Sequence, residues 1–176
     1  MSNPYHWRFT SRLDLLPPGS VALDLGAGGR EHAGVVSLDL DRGDVLGDCL
    51  ALPFRDDCAD LILSQAVLEH VTDPQLAVDE MHRVARPGGV LCVEVAFMQP
   101  VHMPPHHYFN VTPYGLAHLL RRWEVLESGT IGTYRQVIAA INRAVHARGK
   151  WRPQECDPRH YSRSASGVYA VARKPV

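Results

Sequence analysis

The chain has 176 residues, of which 45% are hydrophobic and 21% are charged, and this composition is typical of one globular domain with a full core. Its apolar stretches are far shorter than the ~20 residues that a membrane span needs, and the first ten residues carry no apolar signal core. We therefore expect one domain over residues 1–176, with no membrane span and no secretory leader.

The formal net charge is −1, but the charge is divided unevenly along the chain. Residues 1–120 hold 7 arginines and 15 acidic residues, whereas residues 121–176 hold 11 basic and 4 acidic residues. A basic tail folded back on an acidic body explains this division, and a basic face for an anionic substrate or nucleic acid is the alternative. Because aromatic residues do not alternate with the basic ones, we expect no nucleic-acid partner.

The four cysteines, at positions 49, 58, 92 and 156, form no C-x-x-C pair. This spacing is typical of reduced thiols, so we expect a cytoplasmic protein.

Strand and helix patterns alternate along the chain, which predicts an α/β protein with a parallel sheet. The predicted elements are, in chain order, a lead helix within residues 1–19, strands at 21–25, 35–40, 45–46 and 59–64, a helix at 72–86, a strand at 90–97, a loop at 98–111, a helix capped by Thr112, a strand over WEVLESGTIG, a helix within an insertion at 130–165 that begins at Thr133, and a last strand at 167–174.

The helix at 72–86 has the clearest start. Thr72 and Gln75 fit a capping box, and one face carries Leu76, Met81 and Val84. Pro87-Gly88-Gly89 is predicted to end this helix and to turn the chain into the fifth strand.

A glycine-rich turn follows the first strand in the segment LDLGAGGREHAGVVSLDLD. Gly26 and Gly28 would let the backbone approach a ligand closely, where a Cβ would collide. The third glycine of the dinucleotide pattern is absent, because Arg30 stands there. The next apolar run begins at Val35, which leaves almost no room for a helix.

Several segments, taken in order, resemble the class I S-adenosylmethionine-dependent methyltransferases, most closely their type 11 branch, from about residue 20 onward. They are VALDLGAGGR, VVSLDLD, GDCLALPFRDDCADLILSQAVLEHV, DEMHRVARPGGVLCVEV, TPYGLAHLL and VYAVARK. The resemblance implies a Rossmann-like sheet of order 3-2-1-4-5-7-6 with strand 7 antiparallel, here with a shortened first helix. It also implies methyl transfer with S-adenosyl-L-methionine as the cofactor.

The resemblance assigns cofactor contacts to the ends of the strands. Asp39 would accept hydrogen bonds from both ribose hydroxyls, and Asp48 would accept one from the adenine amino group. The methionine portion would lie against Asp24 and the 26–28 backbone, with Ser64 and Gln65 nearby. The full set of predicted cofactor-binding residues is Asp24, Gly26, Ala27, Gly28, Asp39, Leu40, Asp48, Cys49, Leu50, Ser64, Gln65 and Glu69.

The short turn bears on which ligand is bound. A pyrophosphate needs the N–H groups and dipole of a helix N-terminus, whereas S-adenosylmethionine is net positive and suits a turn beside carboxylates. The turn therefore disfavours NAD. Arg30 either faces the cofactor carboxylate or is a surface arginine.

The loop at 98–111 leaves the fifth strand at the edge where the ligand should lie. Removing a proton from a hydroxyl acceptor needs a base, and His102 and His106 are the candidate catalytic residues, with His107 beside them. The loop also resembles the pattern P-x-H-x-x-P-x-D-Y-x-R-x-T of methyltransferases associated with glycan pathways. His107 and Asn110 replace its aspartate and arginine.

We expect no metal. The H-x-x-x-H-H spacing lacks a Cys or Asp partner, and quinone-pathway O-methyltransferases carry E-x-x-E-H where this chain has Ala66 in place of the first glutamate. Glu69 is expected near the methionine end of the cofactor, and His70 is expected to pack.

The sequence thus predicts a methyltransferase that acts, at oxygen, on a small-molecule or glycan-linked acceptor. A non-catalytic S-adenosylmethionine-binding accessory protein and an NAD protein are the alternatives. The oligomeric state is left open, with a homodimer as one state.

Overall fold

The computed structural model describes residues 7–132, 135, 137–139, 142 and 167–176. Its elements are α1 (Trp7–Leu13), β1 (Ala22–Leu25), β2 (Val35–Asp39), β3 (Val45–Leu46), β4 (Ala59–Gln65), α2 (Pro74–Val84), β5 (Ala85–Ala96), α3 (Pro113–Leu119), β6 (Glu124–Ile131) and β7 (Gly167–Arg173).

Within the described residues one mixed sheet contains seven strands, in the order β3-β2-β1-β4-β5-β7-β6. The strands from β3 to β5 are parallel, and β7 is antiparallel to both β5 and β6. The predicted strand order and the antiparallel β7 are confirmed. Because parallel β1, β2 and β4 end at the same edge, the polar residues that follow them lie together there.

The core lies on both faces of this sheet because successive strand residues point to opposite faces. On one face Leu23 and Leu25 of β1 belong to the larger cluster, with Met81 of α2. On the other face Phe9 of α1 packs with Ala22.

The connection between β1 and β2, residues 26–34, contains turns and no helix, as predicted. The N–H groups of Gly26 and Ala27 both donate to the carbonyl of Leu38, at 2.8 and 3.1 Å. These bonds hold the bend against β2 and give it an anchor that a helix would otherwise provide.

The start of α2 differs from the prediction. Its N-cap is Asp73, whose carboxylate accepts from the N–H of Leu76 at 2.9 Å, and not Thr72. Pro74 takes the first helical position, where its missing N–H costs nothing, and this places the cap at the preceding residue. The buried face consists of Ala77, Val78, Met81 and Val84, whereas Leu76 is 44% exposed.

The start of β5 also differs from the prediction. The strand begins at Ala85 and includes Pro87-Gly88-Gly89, which the sequence placed before it. Ala59 pairs with Ala85, and the register shifts before Leu61 pairs with Val90. The additional residues of β5 between Ala85 and Val90 therefore form a bulge-like irregularity within the strand, and not a turn that precedes it.

Two other predictions concern where helices begin. The cap at Thr112 is confirmed, since its hydroxyl accepts from the N–H of Gly115 at 3.0 Å. The start of the helix predicted at Thr133 lies outside the described residues, although residues 135, 137–139 and 142 are helical. Among the described helices, none is long and apolar enough to cross a membrane.

Candidate functional site

A cleft of about 530 Å³ opens at the edge where β1, β2, β3 and β4 end. Small-molecule sites commonly have volumes of about 300–1,000 Å³, so the cleft has the size of a cofactor site. Its lining includes eight of the predicted cofactor-binding residues: Gly26, Ala27, Gly28, Asp39, Leu40, Asp48, Cys49 and Gln65.

The floor of the cleft is the glycine bend after β1. Gly26 and Gly28 have φ of +68° and +59°, in the left-handed region that glycine adopts without steric cost. A Cβ added at Gly26 would lie 2.5 Å from Cγ2 of Val67, whereas one at Gly28 would meet nothing within 4 Å. The bend therefore depends on glycine at 26 for space and at both positions for conformation.

Asp39 and Asp48 bring two carboxylates to the cleft from the ends of β2 and β3. Oδ2 of Asp39 accepts from the N–H of Gly28 at 2.7 Å, which fixes the side chain against the glycine bend. Oδ1 of Asp48 accepts from the N–H of Leu50 at 2.9 Å. Each carboxylate oxygen has a second lone pair, so both side chains retain acceptor capacity for a ligand.

Asp24 lies behind the cleft wall and does not line it. Its carboxylate is fully buried and pairs with Arg30, with Nε to Oδ2 at 3.3 Å and Nη2 to Oδ1 at 3.4 Å. The guanidinium also donates to the carbonyl of Gly26 at 3.3 Å, and its side chain is only 10% exposed. Arg30 is therefore not a surface arginine: it lines the cleft and ties β1 to the bend.

Three aspartates, Asp39, Asp41 and Asp48, and two arginines, Arg30 and Arg42, line the cleft, so its acidic side chains outnumber its basic ones. Burial raises the pKa of the Cys49 thiol to about 12, and the negative charges of Asp48, Asp39 and Asp24 raise it further in the same direction. All three acids therefore act on one point of the cleft. A ligand with positive charge is favoured in such a place over a diphosphate.

Three further predicted residues, Leu50, Ser64 and Glu69, lie outside the cleft lining. Ser64 and Glu69 are buried, with exposed fractions of 0% and 1%. The Oγ of Ser64 and the Oε2 of Glu69 have no hydrogen-bond partner among the described residues. Burial raises the pKa of the Glu69 carboxyl above its ordinary value.

The loop at 98–111 brings its histidines to one end of the cleft. The rings of His102 and His107 are 4.2 Å apart between centroids, and His70 lies 5.0 Å from His102. His70 itself lines the cleft, together with Met103 of the loop, while His102 and His106 do not. Burial lowers the pKa of His70, which favours its neutral form.

Three residues at this end could hold a metal ion. One donor atom each from Glu69, His70 and His102 lie within 4.8 Å of one another. The sequence did not indicate this group, because Glu69 and His102 are far apart in the chain and Ala66 holds the first glutamate position of E-x-x-E-H.

Two other features of the site had no sequence signal. Glu94 of β5 pairs with Gln65 of β4, which lines the cleft. Its Oε2 has no hydrogen-bond partner among the described residues. Burial, with a smaller contribution from Glu69, raises the pKa of Glu94 to about 7. Ala66, which lines the cleft, has a φ of +57°, a strained conformation of the kind that clusters at functional sites.

The chain is similar in sequence to known methyltransferases. Residues 20–93 match the family model described as a methyltransferase domain. The demethylmenaquinone methyltransferase of Mycolicibacterium paratuberculosis is 36% identical over 50% of this chain and 47% of its own length. A tRNA (carboxymethyluridine(34)-5-O)-methyltransferase of Arabidopsis thaliana is 30% identical over 47% of this chain and 26% of its own. The chain thus spans about half or less of these relatives.

Solved structures share the fold. A chain in the complex between the Haloferax volcanii Trm112 methyltransferase activator and a methyltransferase has a TM-score of 0.64 at 19% identity, covering 97% of this chain and 91% of that chain. Phosphoethanolamine N-methyltransferase 2 of Haemonchus contortus, in complex with S-adenosyl-L-methionine, has a TM-score of 0.66 at 12% identity, covering 97% of this chain and 52% of that chain.

The sequence match and the strand order point to the same family. The matched residues, 20–93, run from just before β1 into β5 and include every residue that lines the cleft except Met103. The predicted resemblance to the class I S-adenosylmethionine-dependent methyltransferases, type 11 branch, is confirmed over residues 20–93, and the sheet has the fold of that class.

Proposed function

We propose that the chain transfers a methyl group from S-adenosylmethionine to a small-molecule or glycan-linked acceptor, at an oxygen atom. One hydrogen bond carries the proposal: the N–H of Gly28 donates to Oδ2 of Asp39 at 2.7 Å. It fixes the glycine bend beside the aspartates of the cleft. This arrangement combines close backbone approach with fixed acceptors. A net positive adenosyl ligand matches both features, and when bound it would supply an electrophilic methyl group.

Each wall of the cleft has a role in this proposal. Asp39 would accept hydrogen bonds from the ribose, and Asp48 would accept one from the adenine amino group. Leu40 and Cys49, which line the same wall, would contact the adenosyl rings. Arg30 would face the cofactor carboxylate, while its bonds to Asp24 hold the guanidinium in place.

The methionine end would lie towards β4. Gln65 lines the cleft there, with Ser64 and Glu69 buried behind it. The loop at 98–111 borders this end, so the acceptor would enter between the loop and the strand ends. His102 and His106 of the loop are the candidate bases for the acceptor proton.

The comparisons support methyl transfer and leave the acceptor open. One relative named above is a demethylmenaquinone methyltransferase and the other a tRNA methyltransferase. We propose a small acceptor because the described loop carries no pattern of basic and aromatic residues for nucleic acid. Cys49, Cys58 and Cys92 are free thiols, in keeping with a cytoplasmic location as part of the proposal, and residues 1–176 would act as one methyltransferase domain.

The Asp39→Ala variant tests the cofactor assignment. It should weaken binding of S-adenosylhomocysteine, measured by calorimetry, by about 1–3 kcal/mol, because charge-assisted hydrogen bonds to the ribose are lost. Asp14→Ala is the matched control, since it removes the same charge from an exposed position after α1.

Three outcomes separate the candidate functions. The proposal is supported if Asp39→Ala weakens S-adenosylhomocysteine binding, Asp14→Ala does not, and the wild-type protein methylates an acceptor in a panel of phenols, glycans and tRNA. Binding with no turnover on any acceptor supports the accessory role instead. If the wild-type protein binds NADH, seen as a change in nicotinamide fluorescence, and not S-adenosylhomocysteine, the proposal is wrong.

A further inference from the structure

Two segments far apart in the sequence are fixed against each other beside the cleft. The N–H of Tyr108 donates to the carbonyl of Glu69 at 2.8 Å, and Nδ1 of His70 contacts the carbonyl of His106. These two contacts, one between backbone groups and one from the His70 ring, hold the loop over residues 69–70. As a result, the carboxylate of Glu69 and the rings of His70 and His102 come together, with one donor atom from each within 4.8 Å of the others.

The hydrogen bonds of the two histidines determine which nitrogen carries the proton. Nδ1 of His70 contacts the carbonyl of His106, and Nδ1 of His102 lies 3.1 Å from the carbonyl of Pro100. A carbonyl oxygen can only accept, so each Nδ1 carries the hydrogen and each Nε2 keeps its lone pair. Histidines that bind metals commonly donate their other ring N–H to a backbone carbonyl in this way.

The third member of the group is a carboxylate whose oxygen lacks a partner. Glu69 is 1% exposed, and its Oε2 has no hydrogen bond within the described residues. The carboxylate accepts hydrogen bonds from the backbone N–H groups of Glu69 and Ala96, so Oε2 is the oxygen without a partner. A buried carboxylate oxygen without a partner is costly, and metal coordination is one of the ways in which proteins compensate for it. This unsatisfied oxygen is independent of the histidine geometry and points to the same ligand.

The hydrogen bonds of the neighbouring His107 exclude it as a metal ligand. Nδ1 of His107 accepts from the backbone N–H of His102 at 3.1 Å, and Nε2 of His107 contacts the carbonyl of Phe109 at 3.1 Å. Both of its nitrogens are therefore engaged in holding the loop. The histidine pair of the candidate site is His70 and His102.

We propose that Glu69, His70 and His102 bind one divalent first-row transition metal ion of the zinc type. Two imidazoles and one carboxylate form a donor set that such ions accept, whereas Mg²⁺ prefers oxygen ligands. Three protein ligands leave a position free for another oxygen. Because His70 also lines the cleft, that position lies at the acceptor end.

This site extends the proposed function, on which its catalytic part rests. A metal ion here would bind the oxygen of the acceptor and lower its pKa, so that less is required of a protein base. With Nε2 of His102 bound to the ion, His102 would not act as a base. His106, whose Nδ1 lies 3.2 Å from the hydroxyl of Tyr108, would then be the candidate base of the loop.

Metal binding tests the site without any assay of methyl transfer. Purified protein stripped of metal is titrated with Zn²⁺ by calorimetry, and with Co²⁺ by its visible absorption. The wild-type protein should bind one equivalent. The His102→Ala variant should bind Zn²⁺ more weakly by at least the roughly 10–100-fold seen when a ligand loses only its hydrogen-bond partner.

His106→Ala is the matched control, since it lies in the same loop and contacts His70 through a backbone carbonyl that alanine retains. Its Zn²⁺ affinity should equal that of the wild type. His102 is in a loop, so its variant should fold, and unchanged binding of S-adenosylhomocysteine verifies this.

Three results overturn the inference: no Zn²⁺ bound by the wild type, equal affinity in wild type and His102→Ala, or a site filled by Mg²⁺ in preference to Zn²⁺. Failure of the metal site and failure of the proposed function are distinguishable. A protein that binds S-adenosylhomocysteine and no Zn²⁺ retains the proposed function, and one that binds Zn²⁺ and no S-adenosylhomocysteine loses it.

Discussion

The Gly26→Ala variant should lose about 2–5 kcal/mol of the free energy of unfolding, as measured by urea denaturation. Alanine in the left-handed region costs about 1–2 kcal/mol, and overpacking against a buried neighbour costs about 1–3 kcal/mol. The neighbour is Val67, whose Cγ2 would lie 2.5 Å from the new Cβ. Val67 is stiff at χ1 and 7% exposed, so it has little freedom to rotate away.

The Gly28→Ala variant separates these two costs. Its φ of +59° is similar, but a Cβ at Gly28 would meet nothing within 4 Å. It should therefore lose only the conformational part, about 1–2 kcal/mol. Equal losses in the two variants would show that Val67 does not limit the space at Gly26.

The Glu94→Gln variant should raise the free energy of unfolding above neutral pH and leave it nearly unchanged below about pH 4. The pKa of Glu94 is raised to about 7, first by burial and then by Glu69, whereas in the unfolded chain it is close to 4.5. As the pH rises through this window the unfolded state loses its proton first. The ionised form therefore costs up to about 3 kcal/mol of stability above pH 7.

Glutamine resembles the protonated carboxyl, so this cost should disappear at high pH. Urea denaturation of both proteins at about pH 4 and pH 8 measures the difference. Glu31→Gln, at an exposed position, is the control and should show the same small change at both pH values. A Glu94→Gln effect that is also independent of pH would mean that Glu94 ionises at its ordinary pKa.

Much of the fold could be predicted because the buried strands have unambiguous patterns. β1 reads as a continuous apolar run interrupted by Asp24, and its glycine bend marks where it ends. The first residues of α2 and β5 were harder to predict from the sequence. Thr72 and Asp73 are both good caps, and only the preference of Pro74 for the first helical position decides between them.

The acidic wall of the cleft could be predicted in the same way. Asp39 is the last residue of β2 and Asp48 lies two residues after β3, so the order of these parallel strands brings both to one edge. Arg30 was ambiguous from the sequence because its direction depends on Asp24, a partner on β1 that the sequence assigned to the ligand.

The group of Glu69, His70 and His102 could not be predicted, because it depends on how the loop at 98–111 lies. That loop is positioned by hydrogen bonds such as Tyr108 N–H to the Glu69 carbonyl, which carry no residue signature. The expectation of no metal treated two segments separately: the loop histidines, which have no Cys or Asp partner in their own segment, and Ala66, which replaces the first glutamate beside Glu69 and His70. The proposed site instead draws its third ligand from a different part of the chain.

The position of β7 between β5 and β6 has a consequence for synthesis on the ribosome. β6 pairs with β7 and with no other described strand, and β7 follows it later in the chain. Until β7 has emerged, the nascent chain carries β6 without a strand partner, and β5 presents an open edge. Chaperone binding to nascent chains should therefore persist until residues 167–173 are exposed, because unpaired edges invite aggregation.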